Sequence, residues 1–366
     1  MSEWKIREQP PGCHSVHSRS LMKNILALLI VLAASAALAA PHPASRIIID
    51  TDPGTDDALA MLLALNSPEV DVVGISVVAG NVTVARGLEN ALGILSLAGR
   101  CDVPVAGGAA GPLKQKLNTE PFWNGRNGLG GAELPAAHCR AVSRFGPDLI
   151  IELVRKYPHQ ITLVPVGPLT NIALAVSKDP GIVALVHGVV LMGGSISGGN
   201  VNAASEFNIH ADPEAADIVF NAGWRLTMVG LDVTERTLFT EDDVRRLERR
   251  PGPLTRFAAA VLRFQIGTYQ GTGFAGGAIH DALAVGAIVR PSLLETKPMR
   301  VDIETGGNFT RGETVANRSN AEDRVVWAGN WYETVGVNAV TPKVNVAVGV
   351  QAPSFIQMFI ERITGK

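Results

Sequence analysis

Cysteine is nearly absent from this 366-residue chain, which carries only Cys13, Cys101 and Cys139. Three scattered cysteines with no CxxC pair leave no case for zinc on thiolates, and they cannot by themselves establish a disulfide. Runs of Lys or Arg are missing too: 32 basic residues stand against 34 acidic ones, a net charge of -2. Without a basic stripe a nucleic acid polymer is a poor partner, and a small molecule is the better default ligand. The apolar run Ile25–Leu32 falls short of the roughly 20 residues that cross a bilayer, so no stable membrane anchor is expected. Internal repeats and low-complexity tracts are also absent. The length is enough to bury a sizeable core.

The early apolar run has a different use. Met22-Lys-Asn supplies a positive start, Ile25–Leu32 the apolar centre, and Ala37-Leu38-Ala39 an A-x-A ending. This order describes a secretory signal peptide cleaved after Ala39. The polar stretch before Met22 is either an extended n-region or an upstream start that is not used. Residues 1–39 are therefore expected to leave, residues 40–366 to form one domain, and the protein to be exported, periplasmic or secreted. Cys13 leaves with the leader, and Cys101 and Cys139 remain as a candidate pair in an oxidising compartment.

Beyond the leader, β-like and helix-like runs alternate. Strands are expected at Arg46–Asp50, Val70–Val78, Ile161–Val166, Gly188–Met192 and Leu226–Leu231. Helices are expected at Ala58–Leu65, Thr83–Ala98, Leu149–Lys156, Asn171–Ser177, Pro213–Asn221 and Ala282–Val289. Such alternation reads as βαβ units, hence an α/β fold with an open, mostly parallel sheet flanked by helices. Two further β-like runs, Met299–Ile303 and Val344–Val350, bracket a polar stretch, Asn317–Thr341, that is either a surface loop or a hairpin over the site.

Charge concentrates at one place. Asp50, Asp52, Asp56 and Asp57 fall within eight residues, directly after the apolar Ile47–Ile49. Two carboxylates about 4 Å apart repel by roughly 4 kcal/mol at an effective dielectric near 20, so a cation, raised pKa values or full exposure must offset them. A strand end, a Pro53-Gly54 turn and a helix start form the place where open α/β sheets bind ligands. A solvated acidic turn with Asp56 or Asp57 as a simple N-cap is the alternative. Other strand candidates end at Asn81, Val166, Met192 and Asp232, and His280-Asp281 opens a helix. In a parallel sheet these ends share one edge, and their hard oxygen donors suit Ca²⁺ or Mg²⁺.

Six blocks in order resemble the nucleoside hydrolase family, the calcium-dependent, inosine–uridine-preferring N-ribohydrolases. They are Asp50–Asp57 (the DxDPGxDD fingerprint), Val164–Asn171, Val190–Gly194, Glu206–Glu214, Met228–Thr234 and Ile279–Asp281. The resemblance implies a single Rossmann-like sheet and hydrolysis of a small-molecule ribonucleoside to ribose and free base. It implies Ca²⁺ held by Asp52, Asp57, the Val166 carbonyl and Asp281. Asp56 and Asn81 would bind the 2′-hydroxyl region, Asn208 the ribose, and Asn200 and Glu206 the 5′-hydroxyl, with Met192 lining the pocket. Asp52 would act as general base and Asp50 as a support for the turn. His280 is the candidate acid for the leaving base, a helix cap being its other reading. A homodimer or homotetramer is expected.

The chain departs from the pattern at Asn124, where many relatives carry His. Departures continue in the glycine-rich Gln270–Gly277 and in Asn317–Thr341, which looks like an insertion. Two functions compete: a Mg²⁺-dependent haloacid-dehalogenase-type phosphatase with a nucleophilic Asp in Asp50-Thr-Asp52, which leaves Asp56 and Asp57 unexplained, and an exported, non-catalytic nucleoside- or ribose-binding protein using the same crevice.

Overall fold

Ile47, Ile48 and Ile49 are all fully buried, but not together: Ile47 and Ile49 join one apolar core and Ile48 joins another. Successive side chains of a strand point to opposite faces, so this strand is buried on both sides, as only a central strand can be. The computed structural model, which describes residues 44–317 and 344–365 with Met1 and Trp4, places it there. Apart from Met1 and Trp4, the leader 1–39 lies outside the described residues, as does the polar stretch beyond Asn317.

The strands, in chain order, are β1 (Ser45–Thr51), β2 (Val70–Val77), β3 (Val105–Gly107), β4 (Ile161–Pro165), β5 (Gly188–Met192) and β6 (Leu226–Val229). After them come β7 (Leu238–Phe239), β8 (Gly277–Ala278), β9 (Leu294–Met299), β10 (Val301–Ile303), β11 (Thr314–Ala316) and β12 (Val344–Val350). Eight of them build one sheet in the order β3-β2-β1-β4-β5-β6-β12-β9. All neighbours are parallel except β12 and β9. The remaining four form two small antiparallel pairs, β7 with β8 and β10 with β11.

The order reverses between β1 and β4, and ligands of open α/β sheets sit outside the strand ends at that switch point. Asp50 of β1 pairs in register with Pro165 of β4, and the Val166 amide donates to the Asp50 carbonyl at 2.8 Å. The acidic turn and the Val166-Gly167 turn therefore leave the sheet side by side.

The expected helices form, with ends moved by a few residues. The first runs from Thr55 to Leu65 and opens on Asp56 and Asp57, not on Ala58, because acids at a helix N-terminus satisfy its free amides. Expected strand Leu226–Leu231 stops at Val229, since Gly230 turns the chain into the short helix Leu231–Thr234. The longest helix among the described residues, Pro253–Gly271, was not expected, and it absorbs the start of the glycine-rich segment. Cys101 and Cys139 are disulfide-bonded.

One face of the sheet is closed by the C-terminal helix Ala352–Thr364, whose Phe355 and Phe359 meet Phe239 edge-on at 6.2 and 5.3 Å between ring centres. All three rings are fully buried. Phe359→Ala should lower stability by about 3–5 kcal/mol through the cavity it leaves. Urea unfolding should show this as a lower midpoint at unchanged slope. A loss below about 1 kcal/mol would mean that this cluster closes up around the gap.

Candidate active site

Asp57 ties the acidic turn together. Its Oδ1 accepts from the Thr51 hydroxyl at 2.5 Å and the Asp52 amide at 3.2 Å. Its Oδ2 accepts from the Gly54 amide at 3.0 Å and the Asn81 side chain at 2.9 Å. Four donors match the acceptor capacity of one carboxylate. The chain is thereby drawn around Asp57, and Asp56 is turned outward to the adjoining cavity.

Asp52 sits behind the cavity wall and is fully buried. Its Oδ2 accepts from the Asn81 amide at 2.5 Å, while its Oδ1 has no hydrogen-bond partner among the described residues. Glycine gives it room: a Cβ on Gly80 would lie 2.1 Å from Oδ2, and one on Gly167 would lie 2.4 Å from Oδ1. Asp50 faces away from the cavity and accepts from Asn171 at 2.8 Å, and Asn171 also reaches Ser76 on β2 and the Ala109 amide. It is a strut between neighbouring strand ends, and burial raises its pKa to about 7.

The second helix to reach the site is His280–Val289, packed against Thr55–Leu65. The backbone amides of His280 and Asp281, at a helix N-terminus, face the Asp56 carboxylate and favour its charged form. Oxygens of Asp56, Asp57 and Asp281 lie within 4.8 Å of one another. Burial and then the Asp57 charge raise the Asp56 pKa to about 7. Burial, reinforced by neighbouring carboxylates, also holds Asp52 and Asp281 well above the usual carboxylate range. These three acids, the unpartnered Asp52 Oδ1 and the Val166 carbonyl on the cavity wall are all hard oxygen donors. The set fits a metal ion, which would relieve the repulsion among them.

The cavity holds about 590 Å³ and is lined by five acids, with no Lys or Arg. On one side the Asn208 amide nitrogen donates to the carbonyls of Val166 (3.0 Å) and Met192 (3.2 Å), bridging the ends of β4 and β5. Glu206 accepts three backbone amides, from Gly194 (2.9 Å), Asn208 (2.9 Å) and Ile209 (3.2 Å), and burial lifts its pKa to about 7. Asn200 accepts from the Phe207 amide at 2.9 Å. All three residues line the cavity, together with Met192.

The opposite wall is aromatic. Tyr269 lies 5.2 Å from Trp123, 5.3 Å from Phe274 and 5.9 Å from His280 between ring centres. His280 Nε2 bonds the Tyr269 hydroxyl and Nδ1 meets the Thr234 hydroxyl at 2.7 Å. Burial lowers its pKa to about 4, so the imidazole is neutral at neutral pH. The candidate acid His280 is thus a neutral ring bonded to a phenol, not a charged imidazolium.

The expected site residues thus lie on this cavity or directly behind it, whereas Asp232 instead accepts from Ser195 and the Ile196 amide, and Asp56, not Asp52, completes the close carboxylate group. Asn124, expected beside the base, is buried among Thr55 and Asn81 and still reaches the cavity. Trp123, Gln265, Tyr269 and Phe274 were missed. The 3.6-residue spacing of Gln265 and Tyr269 along one helix face was the available signal.

Comparison with known proteins agrees with this geometry. The profile of the inosine-uridine preferring nucleoside hydrolase family matches residues 47–357. The inosine-uridine preferring nucleoside hydrolase of Crithidia fasciculata is 42% identical over 278 residues, 75% of this chain and 88% of that one. A probable uridine nucleosidase 2 of Arabidopsis thaliana is 38% identical over 325 residues, 87% of this chain and 97% of that one. The solved purine-preferring ribonucleoside hydrolase from Gardnerella vaginalis superposes with a TM-score of 0.79 at 36% identity, covering 87% of this chain and 98% of that one. The chain belongs to the inosine-uridine preferring nucleoside hydrolase family.

Proposed function

We propose that this protein, a ribonucleoside hydrolase by family, cleaves the N-glycosidic bond with Asp52 as general base beside a Ca²⁺ held by Asp52, Asp57, Asp281 and the Val166 carbonyl. The observation that carries the reading is the convergence of Asp56, Asp57 and Asp281 on a cavity walled by acids and aromatic rings. Hard oxygens in an adaptable arrangement suit Ca²⁺. When bound, the ion would supply positive charge that keeps these acids ionised, and would acidify a water.

The protein's own groups do the rest. Asp52 Oδ1, free of other donors, takes the proton of the attacking water. Asp56 and Asn81 hold the 2′-hydroxyl region, Asn208 offers its remaining amide oxygen to the ribose, and Asn200 and Glu206 take the 5′-hydroxyl. The anionic wall stabilises the positive charge that builds on the sugar as the bond breaks. On the aromatic side, the Tyr269 hydroxyl gives its proton to the leaving base, and neutral His280, bonded to that hydroxyl through Nε2, orients it. The phosphatase alternative has no support here, since Asp50 points at Asn171, away from the cavity. Export remains our reading of the leader pattern, and the Cys101–Cys139 pair suits an oxidising compartment.

Metal and pH are linked through the raised acids. Asp50, Asp56 and Glu206 are pushed to about 7, above their ordinary 3.8 to 4.5. A raised folded-state pKa contributes stability that is present below the ordinary value and lost as pH rises through the folded one. Chelated protein should therefore melt at lower temperature as pH climbs from about 4 to about 8, and added Ca²⁺ should stabilise it more at about pH 8 than at about pH 5. Thermal scans with and without chelator test this. Equal stabilisation at both pH values would place the ion elsewhere, and full turnover after chelation would remove it from the reaction.

Asp52→Asn keeps the shape but loses the proton acceptor, so kcat should fall by a factor on the order of 10²–10⁴. Asp50→Asn should act mainly on melting temperature. Equal catalytic losses at unchanged folding would reverse the two assignments.

His280→Ala should cut turnover of ordinary nucleosides strongly while leaving a p-nitrophenyl riboside nearly unaffected, because that leaving group departs without a proton. Parallel kinetics on the two substrates decide it. Matching losses would remove the Tyr269–His280 pair from protonation of the leaving base.

A further inference from the structure

Asn124 takes part in a chain of buried hydrogen bonds that none of the roles above uses. Its Oδ1 accepts from both the amide and the hydroxyl of Thr55, each at 2.9 Å. Its Nδ2 donates to Asn81 Oδ1 at 3.0 Å. Asn81 in turn donates from Nδ2 to Asp57 at 2.9 Å and from its backbone to Asp52 at 2.5 Å. At the other end, Gln265 Nε2 donates to the Thr55 hydroxyl at 2.7 Å.

The polarity of this chain is fixed from both ends. The Thr55 amide can only donate, so Asn124 must turn its oxygen to it and its nitrogen to Asn81. The Asp57 carboxylate accepts, so Asn81 must turn its nitrogen to Asp57 and its oxygen back to Asn124. The two requirements agree at the central bond. Gln265 lies one helical turn from Tyr269, on the helix that carries the aromatic wall. The chain therefore ties that wall to the carboxylate cluster across the floor of the cavity. Space is tight as well: a Cβ on Gly54 would lie 2.4 Å from Asn124 Oδ1 and 2.7 Å from Asn81 Nδ2.

We propose that Asn124 is a positioning residue that, through its one-way bonds to Thr55 and Asn81, holds the Asn81 amide toward Asp57 and links helix Pro253–Gly271 to the metal and ribose end of the site. The proposal rests on the nucleoside hydrolase reading for its kinetic effect but not for its structural one. A neutral imidazole likewise offers one acceptor and one donor nitrogen, so His is a replacement that keeps this polarity.

The test uses three variants of the full chain. Asn124→Asp keeps the acceptor for Thr55 but sets an oxygen against Asn81 Oδ1, which drives the Asn81 amide to flip and strips Asp57 of a donor. Ca²⁺ affinity by calorimetry should weaken by about 10- to 100-fold, the usual range for groups that orient metal ligands. Turnover should fall with it, mainly in kcat. Asn124→His should retain both within about threefold, because it keeps the polarity. Gln265→Leu breaks only the far link and should lose less. Combined with Asn124→Asp, its loss should be smaller than the product of the two single losses, because both act on one chain.

Unchanged calcium affinity in a folded Asn124→Asp protein would overturn the proposal, as would equal damage from Asp and His. Should Asn124→Asp fail to fold, His and Gln265→Leu still decide: loss of calcium binding in the His variant, or no effect of Gln265→Leu on calcium binding or turnover, would overturn it. Absence of nucleoside hydrolysis in the unaltered protein would refute the function reading instead, leaving calcium affinity to judge Asn124.

Discussion

Four donors on one carboxylate hold this site in shape. Asp57 gathers the Thr51 hydroxyl, two backbone amides and the Asn81 side chain, and each comes from a different part of the turn or from the loop after β2. A buried carboxylate without such partners would be costly, and its bonds are of the stronger, charge-assisted kind. The turn cannot relax without leaving that charge unpaired. Everything that must be placed accurately is placed relative to it: Asp52 behind, Asp56 in front, and Asn81 alongside.

Around that anchor the fold gathers more negative charge than it neutralises. Two helices, Thr55–Leu65 and His280–Val289, both present their N-termini to the carboxylate cluster, and their dipoles favour acids there. The favourable term is about 0.3–1 kcal/mol per group, rising to ∼2 kcal/mol where partly buried. Repulsion between two acids about 4 Å apart is roughly 4 kcal/mol at an effective dielectric near 20, so it exceeds what the dipoles supply. The raised pKa values of Asp52, Asp56 and Asp281 express the balance that is left. Stability has been exchanged here for a field that a positive charge would satisfy, whether that charge is a cation or a sugar carbon losing its base.

The sequence made one half of this arrangement legible. Ile47–Ile49 followed by four acids defined β1, the turn and the helix, because burial pattern and charge were both local. Strand ends at Val166 and Met192 were readable by the same logic, since a parallel sheet brings its carboxyl ends to one edge. The aromatic wall was not. Helix Pro253–Gly271 ends in Gly267, Thr268 and Gly271, which weaken helical propensity, and its role appears only when Gln265 meets Thr55 from 210 residues away. Asn124 was noticed as a departure from relatives, but its partners lie 43 and 69 residues distant. The Cys101–Cys139 pair likewise needed three dimensions. Local chemistry could be read, and pairing across the fold could not.

That division also separates two kinds of constraint in the cavity. The side we propose for the ribose is over-determined: Asn208 spans two strand ends, Glu206 holds three amides, and Asn81 is bonded at both ends of its amide. A change at any of these leaves a buried polar group unpaired, at a cost of about 1–3 kcal/mol. The side we propose for the base is built from ring contacts among Trp123, Tyr269, Phe274 and His280, which are less directional than hydrogen bonds and can be repacked. Relatives named for uridine, for inosine and uridine, and for purines share this fold at 36–42% identity. On the function proposed here, a change on the aromatic wall would alter the fit of the base without loosening the carboxylates that Asp57 holds in place.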